Sequence, residues 1–109
     1  MAIWSAKQAY EYAYTHGLSF PADAQITNHF TWNEAFKNEP TDNVPYVGIF
    51  VSLVKVFNEL EKFRLLIKLP IEVNRAYSSV EHNKKAGSTA MYSCHILGMA
   101  IDFYVKGLG

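Results

Sequence analysis

Residues 93 to 102 read Ser-Cys-His-Ile-Leu-Gly-Met-Ala-Ile-Asp, which sets His95 and Asp102 around Gly98 in the pattern S-x-H-x-x-G-x-A-x-D. A neutral imidazole and a carboxylate are standard zinc ligands, and a catalytic zinc site needs three protein ligands plus a position open to water. Two donors are visible here and a third is not. After Gly98, Met99, Ile101, Phe103 and Val105 alternate with Ala100, Asp102 and Tyr104, the period-two pattern of a strand with one buried face. That pattern predicts Asp102 on the side away from the core, with Ala100 leaving room beside it for a metal or ligand. Gly98 permits a turn that folds His95 back toward the carboxylate. On residue types alone, a chance juxtaposition of one His and one Asp competes with a metal pair.

The decapeptide resembles the signature of the zinc D,D- and L,D-peptidases. These are the bacterial D-Ala-D-Ala carboxypeptidases and phage peptidoglycan endolysins, related in fold to the hedgehog signalling domain. Upstream, Asn28-His29-Phe30-Thr31-Trp32-Asn33-Glu34-Ala35-Phe36 is similar to the F-T-x-x-E-F opening of the small phage-type members. Pro70-Ile71-Glu72-Val73, followed by Ala76-Tyr77-Ser78-Ser79 and Asn83, resembles their S-G-Y-R-S stretch, and Gly87 falls where they carry a Gly before the signature. The resemblance covers about residues 26 to 105.

What the resemblance implies is metal-assisted peptide hydrolysis. Zinc would polarise the scissile carbonyl and its bound water, a Glu would act as general base, and hydrogen-bond donors would stabilise the oxyanion. His95 and Asp102 are the expected zinc ligands, Ser93 the expected support for the His95 ring, and Tyr77 a candidate lining of the substrate groove. Against these stand plainer readings: a turn-forming serine at Ser93 and a buried aromatic at Tyr77.

Two departures bear on the site. Ser78 stands where the family carries an Arg thought to orient substrate, so that guanidinium is missing unless Arg75 supplies one from a different angle. The family's third ligand, a His, and its general-base Glu lie beyond the signature, whereas this sequence ends at Gly109. The expectation is therefore a chain truncated at its C-terminus. It would be a fragment of a longer product, a domain that has lost catalysis and kept the fold, or a site completed by another chain. Glu34, Glu59, Glu61, Glu72 and Glu81 are the visible candidates for a replacement base, and none has a spacing argument.

The remaining histidines have simpler explanations than metal binding. His29 precedes a helix start and His82 lies in the polar run Glu81-His82-Asn83-Lys84-Lys85, so both read as solvated surface residues. His16, beside Gly17 at an expected helix end, suits the negative end of the helix dipole. The single cysteine, Cys94, excludes an internal disulfide and reads as a small buried hydrophobe.

Composition points to one small domain spanning 1–109, half of whose residues are hydrophobic. Residues 1–22 form a helical extension ahead of the peptidase-like region 26–105. Lys plus Arg and Asp plus Glu are both ten, with no basic stripe, which argues against a nucleic-acid partner. Charges at Lys55, Glu59, Glu61, Lys62 and Arg64 interrupt the hydrophobic stretch from Val44 to Leu69 and exclude a membrane span. The N-terminus carries no secretory signal pattern. A wall-acting chain of this kind would stay cytoplasmic until released or travel with a virion.

Several elements must position the decapeptide. Ser5-Ala6-Lys7-Gln8 is a capping box that opens a helix to about Thr15, with Ala6, Ala9, Tyr10 and Ala13 on one face and Gly17 closing it. Tyr10, Tyr12 and Tyr14 could serve a partner or simply pack. Thr31-Trp32-Asn33-Glu34 is a second capping box, with Phe30 as hydrophobic staple against Ala35. Asn38 to Asn43, containing Pro40, is a polar loop and the best candidate for a mobile connection. A core helix follows, with Leu53, Val56, Leu60, Phe63 and Ile67 as one stripe and Val47, Phe50, Val54 and Phe57 as a second. Pro45 is expected in its first turn and Pro70 beyond its end. A strand over Pro70 to Tyr77, a turn or short helix over Ser79 to Lys85 and a loop over Ala86 to Tyr92 complete the path to His95.

The architecture these features predict is α+β, with helices packed on a small antiparallel sheet. It would be hedgehog/DD-peptidase-like and lack the last strand, and the exposed sheet edge would invite self-association or a completing chain. The function expected is a zinc-dependent peptidase acting on peptide cross-links or stem peptides of bacterial peptidoglycan, of endolysin or D,D-carboxypeptidase type. The alternative is a non-catalytic structural or wall- or virion-associated binding module that retains the fold.

Overall fold

The computed structural model describes residues 2–78 and 98–107. The expected turn at 79–85, the loop at 86–92, and Glu81, His82, Ser93, Cys94 and His95 lie outside the described residues. In chain order the elements are β1 (Ala2–Ile3), α1 (Ala6–His16), β2 (Ala24–Gln25), α2 (Trp32–Ala35), α3 (Val47–Ile67), β3 (Ile71–Arg75) and β4 (Asp102–Val105). β1 and β2 pair in parallel, a contact the sequence pattern does not announce, and β3 and β4 pair antiparallel. The result is a small α+β fold, with its antiparallel ribbon beside the long helix α3.

Local chemistry explains the helix starts. Ser5 Oγ accepts from the Gln8 amide at 3.1 Å while Gln8 Oε1 accepts from the Ser5 amide at 2.8 Å, so the capping box closes in both directions. Thr31 and Glu34 repeat the arrangement at α2. At the other end of α1, Gly17 has φ +85° and donates its N–H to Ala13 O at 2.7 Å. A Cβ there would lie 2.7 Å from Thr41 O, so the close approach of the 38–43 loop requires glycine.

That loop is better anchored than its composition suggests. Leu18 N–H donates to Thr41 O at 2.7 Å, Asn43 N–H to Pro40 O at 3.1 Å, and Glu39 is buried. The expectation of a loose connection gives way to a segment tied to the end of α1. Pro45 also differs from expectation. It lies ahead of the cap residue Tyr46 rather than in the first turn of α3, and Tyr46 makes no side-chain cap.

An aromatic core joins the helices. Trp32 stacks on Phe36 at 6.4 Å, Phe36 meets Phe50 at 5.0 Å, and Phe30 meets Phe57 at 5.6 Å. Trp32, Phe30, Phe50, Phe57 and Leu53 are fully buried, and α3 contributes Phe50, Leu53 and Phe57 of this set. The N-terminal helix belongs to this core. Ala9 and Ala13 are buried, Tyr10 sets its ring edge on Phe50 at 5.5 Å, and Trp32 Nε1–H donates to Trp4 O at 3.2 Å. Tyr12 packs edge-on against Trp4, whereas Tyr14 is exposed. His16 stacks on Tyr12 and sits with Nδ1 3.2 Å from Tyr12 O, where a ring N–H satisfies a carbonyl of the last turn.

α3 ends at Lys68, whose left-handed conformation (φ +57°) closes the helix ahead of Pro70. β3 then runs back along the core, burying Ile71 and Val73. Lys106 N–H donates to Pro70 O at 2.9 Å, and Glu72 lies 3.5 Å from Lys37 and 3.4 Å from Lys106. The two ammonium groups, Lys106 foremost, hold the Glu72 carboxyl below its ordinary value.

The second half of the expected alternation is only half realised. Ile101 and Val105 pack on the core, but Met99 and Phe103, assigned by the pattern to the same buried face, are 57% and 39% exposed. Regular pairing starts only at Asp102. Phe103 leans on Phe63, itself partly exposed at the side of α3, with ring centroids 6.0 Å apart. Met99, Ala100, Ile101 and Phe103 with Val56, Glu59, Leu60 and Phe63 line an open apolar groove of about 450 Å³.

Candidate functional site

Gly98 places the segment that carries Asp102. Its φ of +67° is a backbone state that side chains disfavour, and a Cβ there would stand 3.1 Å from Ile49 Cγ2 and 3.2 Å from Ile49 O. The glycine of the decapeptide therefore serves the close approach of the chain to α3. Asp102 opens β4, with its side chain 55% exposed, consistent with a position away from the core.

The pairing of β3 with β4 decides what faces Asp102. Ile71 pairs with Val105, Glu72 with Tyr104 and Val73 with Phe103. Continued regularly, that register would set Asn74 opposite Asp102. A bulge between Val73 and Arg75 brings Arg75 there instead. Arg75 Nε–H donates to Asp102 Oδ2 at 3.3 Å. The Arg75 side chain is mostly covered at 21% exposure, and its Nη1 is buried without a hydrogen-bond partner. Sequence reasoning raised Arg75 only as a substitute for a missing guanidinium. The bulge that aims it at Asp102 has no signature in the residue pattern.

Tyr77 is 9% exposed, sets its ring edge on Phe36 at 5.8 Å and donates its N–H to Ala35 O at 3.1 Å. Burial, assisted by the charge of Glu39, raises the pKa of its phenol. Ser78 is fully buried and its Oγ has no hydrogen-bond partner. The structure thus gathers Tyr77 and Ser78 just past the end of β3 and Asp102 across from Arg75.

Zinc is the cofactor the sequence resemblance implies, and the described donor set does not suffice for it. Among the described residues no three of His, Cys, Asp and Glu converge, and the expected ligand that is described, Asp102, faces a guanidinium.

A second polar cluster lies in the aromatic half. Glu61, on the buried side of α3, accepts from Thr27 Oγ1 at 2.7 Å, from His29 N–H at 2.9 Å and from His29 Nδ1 at 2.7 Å. Burial raises the pKa of this carboxyl, but the Thr27 hydroxyl and the ring and amide of His29 outweigh it and hold the net value below the ordinary 4.5. His29 is therefore paired through Nδ1, although 37% of its side chain meets solvent, and the expectation of a simply solvated histidine is corrected. The signal was present in the sequence, since Glu61 follows Phe57 by one helical turn and so falls on the buried stripe.

The small α+β fold, with a carboxylate at the start of its antiparallel ribbon, is compatible with a compact hydrolase domain. The family model described as Peptidase M15 matches residues 22–108, most of the chain, and the chain belongs to that family. It is a peptidase by family, and zinc and a peptidoglycan peptide substrate are family-level expectations. No characterised protein and no solved structure matches the chain. Among the described residues no helix is long and apolar enough to cross a membrane.

Proposed function

We propose that the chain is the core of a zinc peptidase that cleaves peptide cross-links or stem peptides of bacterial peptidoglycan, of endolysin or D,D-carboxypeptidase type, on a hedgehog/DD-peptidase-like fold. The observation that carries this reading is the family match across 22–108, a span that includes the whole S-x-H-x-x-G-x-A-x-D decapeptide. His95 and Asp102 act as metal ligands, with Ser93 orienting the His95 ring. Were zinc held by these residues, it would supply Lewis acidity toward the scissile carbonyl and its attacking water. Residues 1–22 serve as a helical extension that buttresses α3, and 26–105 as the peptidase-like region. Tyr77 and Ser78, both buried just past the end of β3, act through packing rather than by touching substrate.

The reading of a fold-retaining module without catalysis has a specific observation in its favour. Ser78, at the position where the resemblance carries an Arg, is fully buried and cannot reach a substrate. Self-association through β4 would complete the sheet, and light scattering of the purified protein tests it. Release of peptide fragments from purified peptidoglycan, compared between wild type, His95→Ala and Asp102→Ala, decides between the two functions. The peptidase predicts turnover that both substitutions abolish. Absence of turnover in zinc-loaded wild type favours the module.

A further inference from the structure

We propose that two copies of this chain pair edge to edge through β4, antiparallel about a two-fold axis at Tyr104. This gives the self-association through β4 a register and is independent of metal binding. Among the described residues β4 pairs with β3 alone. Lys106 N–H donates to Pro70 O at 2.9 Å, so Lys106, and by alternation Tyr104 and Asp102, aim their main-chain groups at β3. Phe103 and Val105 therefore aim theirs at the outer edge. A second β4 can hydrogen-bond there only in registers that oppose odd-numbered residues to odd-numbered ones.

Charge selects among those registers. With Tyr104 on the axis, Phe103 of one copy exchanges N–H···O=C bonds with Val105 of the other on both sides, and Asp102 stands opposite Lys106 of the second copy. A slip to the next allowed register in either direction sets Asp102 or Lys106 opposite Tyr104 and loses the pairs. Both charges occupy the non-hydrogen-bonded positions of such a pairing, where facing side chains approach most closely. Within each copy Arg75 meets Asp102 at 3.3 Å and Lys106 meets Glu72 at 3.4 Å. Across the seam these join into a row of Arg75, Asp102, then Lys106 and Glu72 of the second copy, with signs alternating throughout. On the face toward α3, Phe103, 39% exposed beside Phe63 at the open apolar groove, gains Val105 of the second copy as a neighbour. A seam that presents the same strand from both copies closes at a dimer.

The test is sedimentation of the full chain over a range of concentrations, with amide hydrogen exchange as a second readout. Wild type is expected to move from one-chain to two-chain mass. The Phe103 and Val105 amides should gain protection with it, while the Tyr104 amide changes little. Asp102→Lys and Lys106→Glu each set like charges across the seam and are expected to weaken the dimer by at least about tenfold. Mixed in equal amounts, the two variants again oppose unlike charges and should associate about as well as wild type, which misfolded chains could not do. Should either fail to fold, Tyr104→Lys serves the same comparison. It lies opposite Glu72 within the chain and opposite itself across the axis, so it should keep the fold and lose the dimer. A wild type that stays at one-chain mass at every concentration overturns the proposal. So does a dimer that both charge reversals leave intact, or a mixture of folded variants that does not associate. Each of these results leaves the peptidase reading to its own turnover assay.

Discussion

The aromatic half of the molecule and the β3–β4 ribbon treat their buried polar groups in opposite ways. Around α1, α2 and α3, the buried Glu61 carboxylate has three donors, the Trp32 indole N–H reaches Trp4 O, and Asn33 both accepts from and donates to the Phe20 backbone. Just past the bulge, within four residues, Arg75 Nη1 and Ser78 Oγ are buried without partners, and they are the only such side-chain atoms among the described residues. A core built for stability satisfies its polar atoms, and the exceptions concentrate where a structure is shaped for something else. The first half behaves as scaffold. The second, with its bulge, its exposed Met99 and Phe103 and its Arg75–Asp102 contact, is where the proposed site falls.

Substitutions that disturb one half and spare the other test this division. The largest effect is expected at Glu61. Glu61→Ala leaves Thr27 and His29 without their acceptor and should cost about 2–4 kcal/mol of stability, measured by denaturant unfolding, with metal affinity unchanged. The same carboxyl predicts a pH dependence. Its pKa is lower in the folded than in the unfolded chain, so the unfolded chain binds the extra proton first as pH falls. The stabilisation is whole above about pH 4.5 and is lost as pH drops through the lower folded value, and Glu61→Gln should flatten that part of the profile.

A smaller effect is expected where the site segment meets the scaffold. Gly98→Ala forces a Cβ against Ile49 from a positive φ and should cost about 1–3 kcal/mol, and it should also lower metal affinity because it displaces the strand leading to Asp102. Equal metal affinity in a stably folded Gly98→Ala protein would blur the division. The smallest effect is expected at the far end of the scaffold. Ser5→Ala removes one side of a capping box and should cost about 1 kcal/mol, visible as a modest drop in melting temperature and nowhere else.

The scaffold was legible in the sequence to the extent that its signals are local. Capping boxes at Ser5 and Thr31 and Gly17 as terminator act over a few residues and appear where the pattern puts them. Of the α3 stripes, Phe50, Leu53, Phe57 and Leu60 are buried, while Val47 and Phe63, expected on the same faces, are exposed. What escaped the pattern depends on residues far apart in the chain. The β1–β2 pairing joins residues 2–3 to 24–25, the Glu61 cluster joins 27 and 29 to 61, and the bulge that aims Arg75 exists only once β4 is in place. Period two also over-predicted burial at Met99 and Phe103, because alternation assumes a covering layer along the whole face and α3 covers only part of it. The resemblance to zinc peptidases reached further than periodicity did, and the family match bears it out.

The most direct test of the central claim is zinc affinity of the purified protein beside His95→Ala and Asp102→Ala. The account predicts that wild type binds zinc and that each substitution weakens binding by at least about tenfold, with unfolding of the metal-free protein little changed. Zinc binding that survives either substitution undiminished would contradict it.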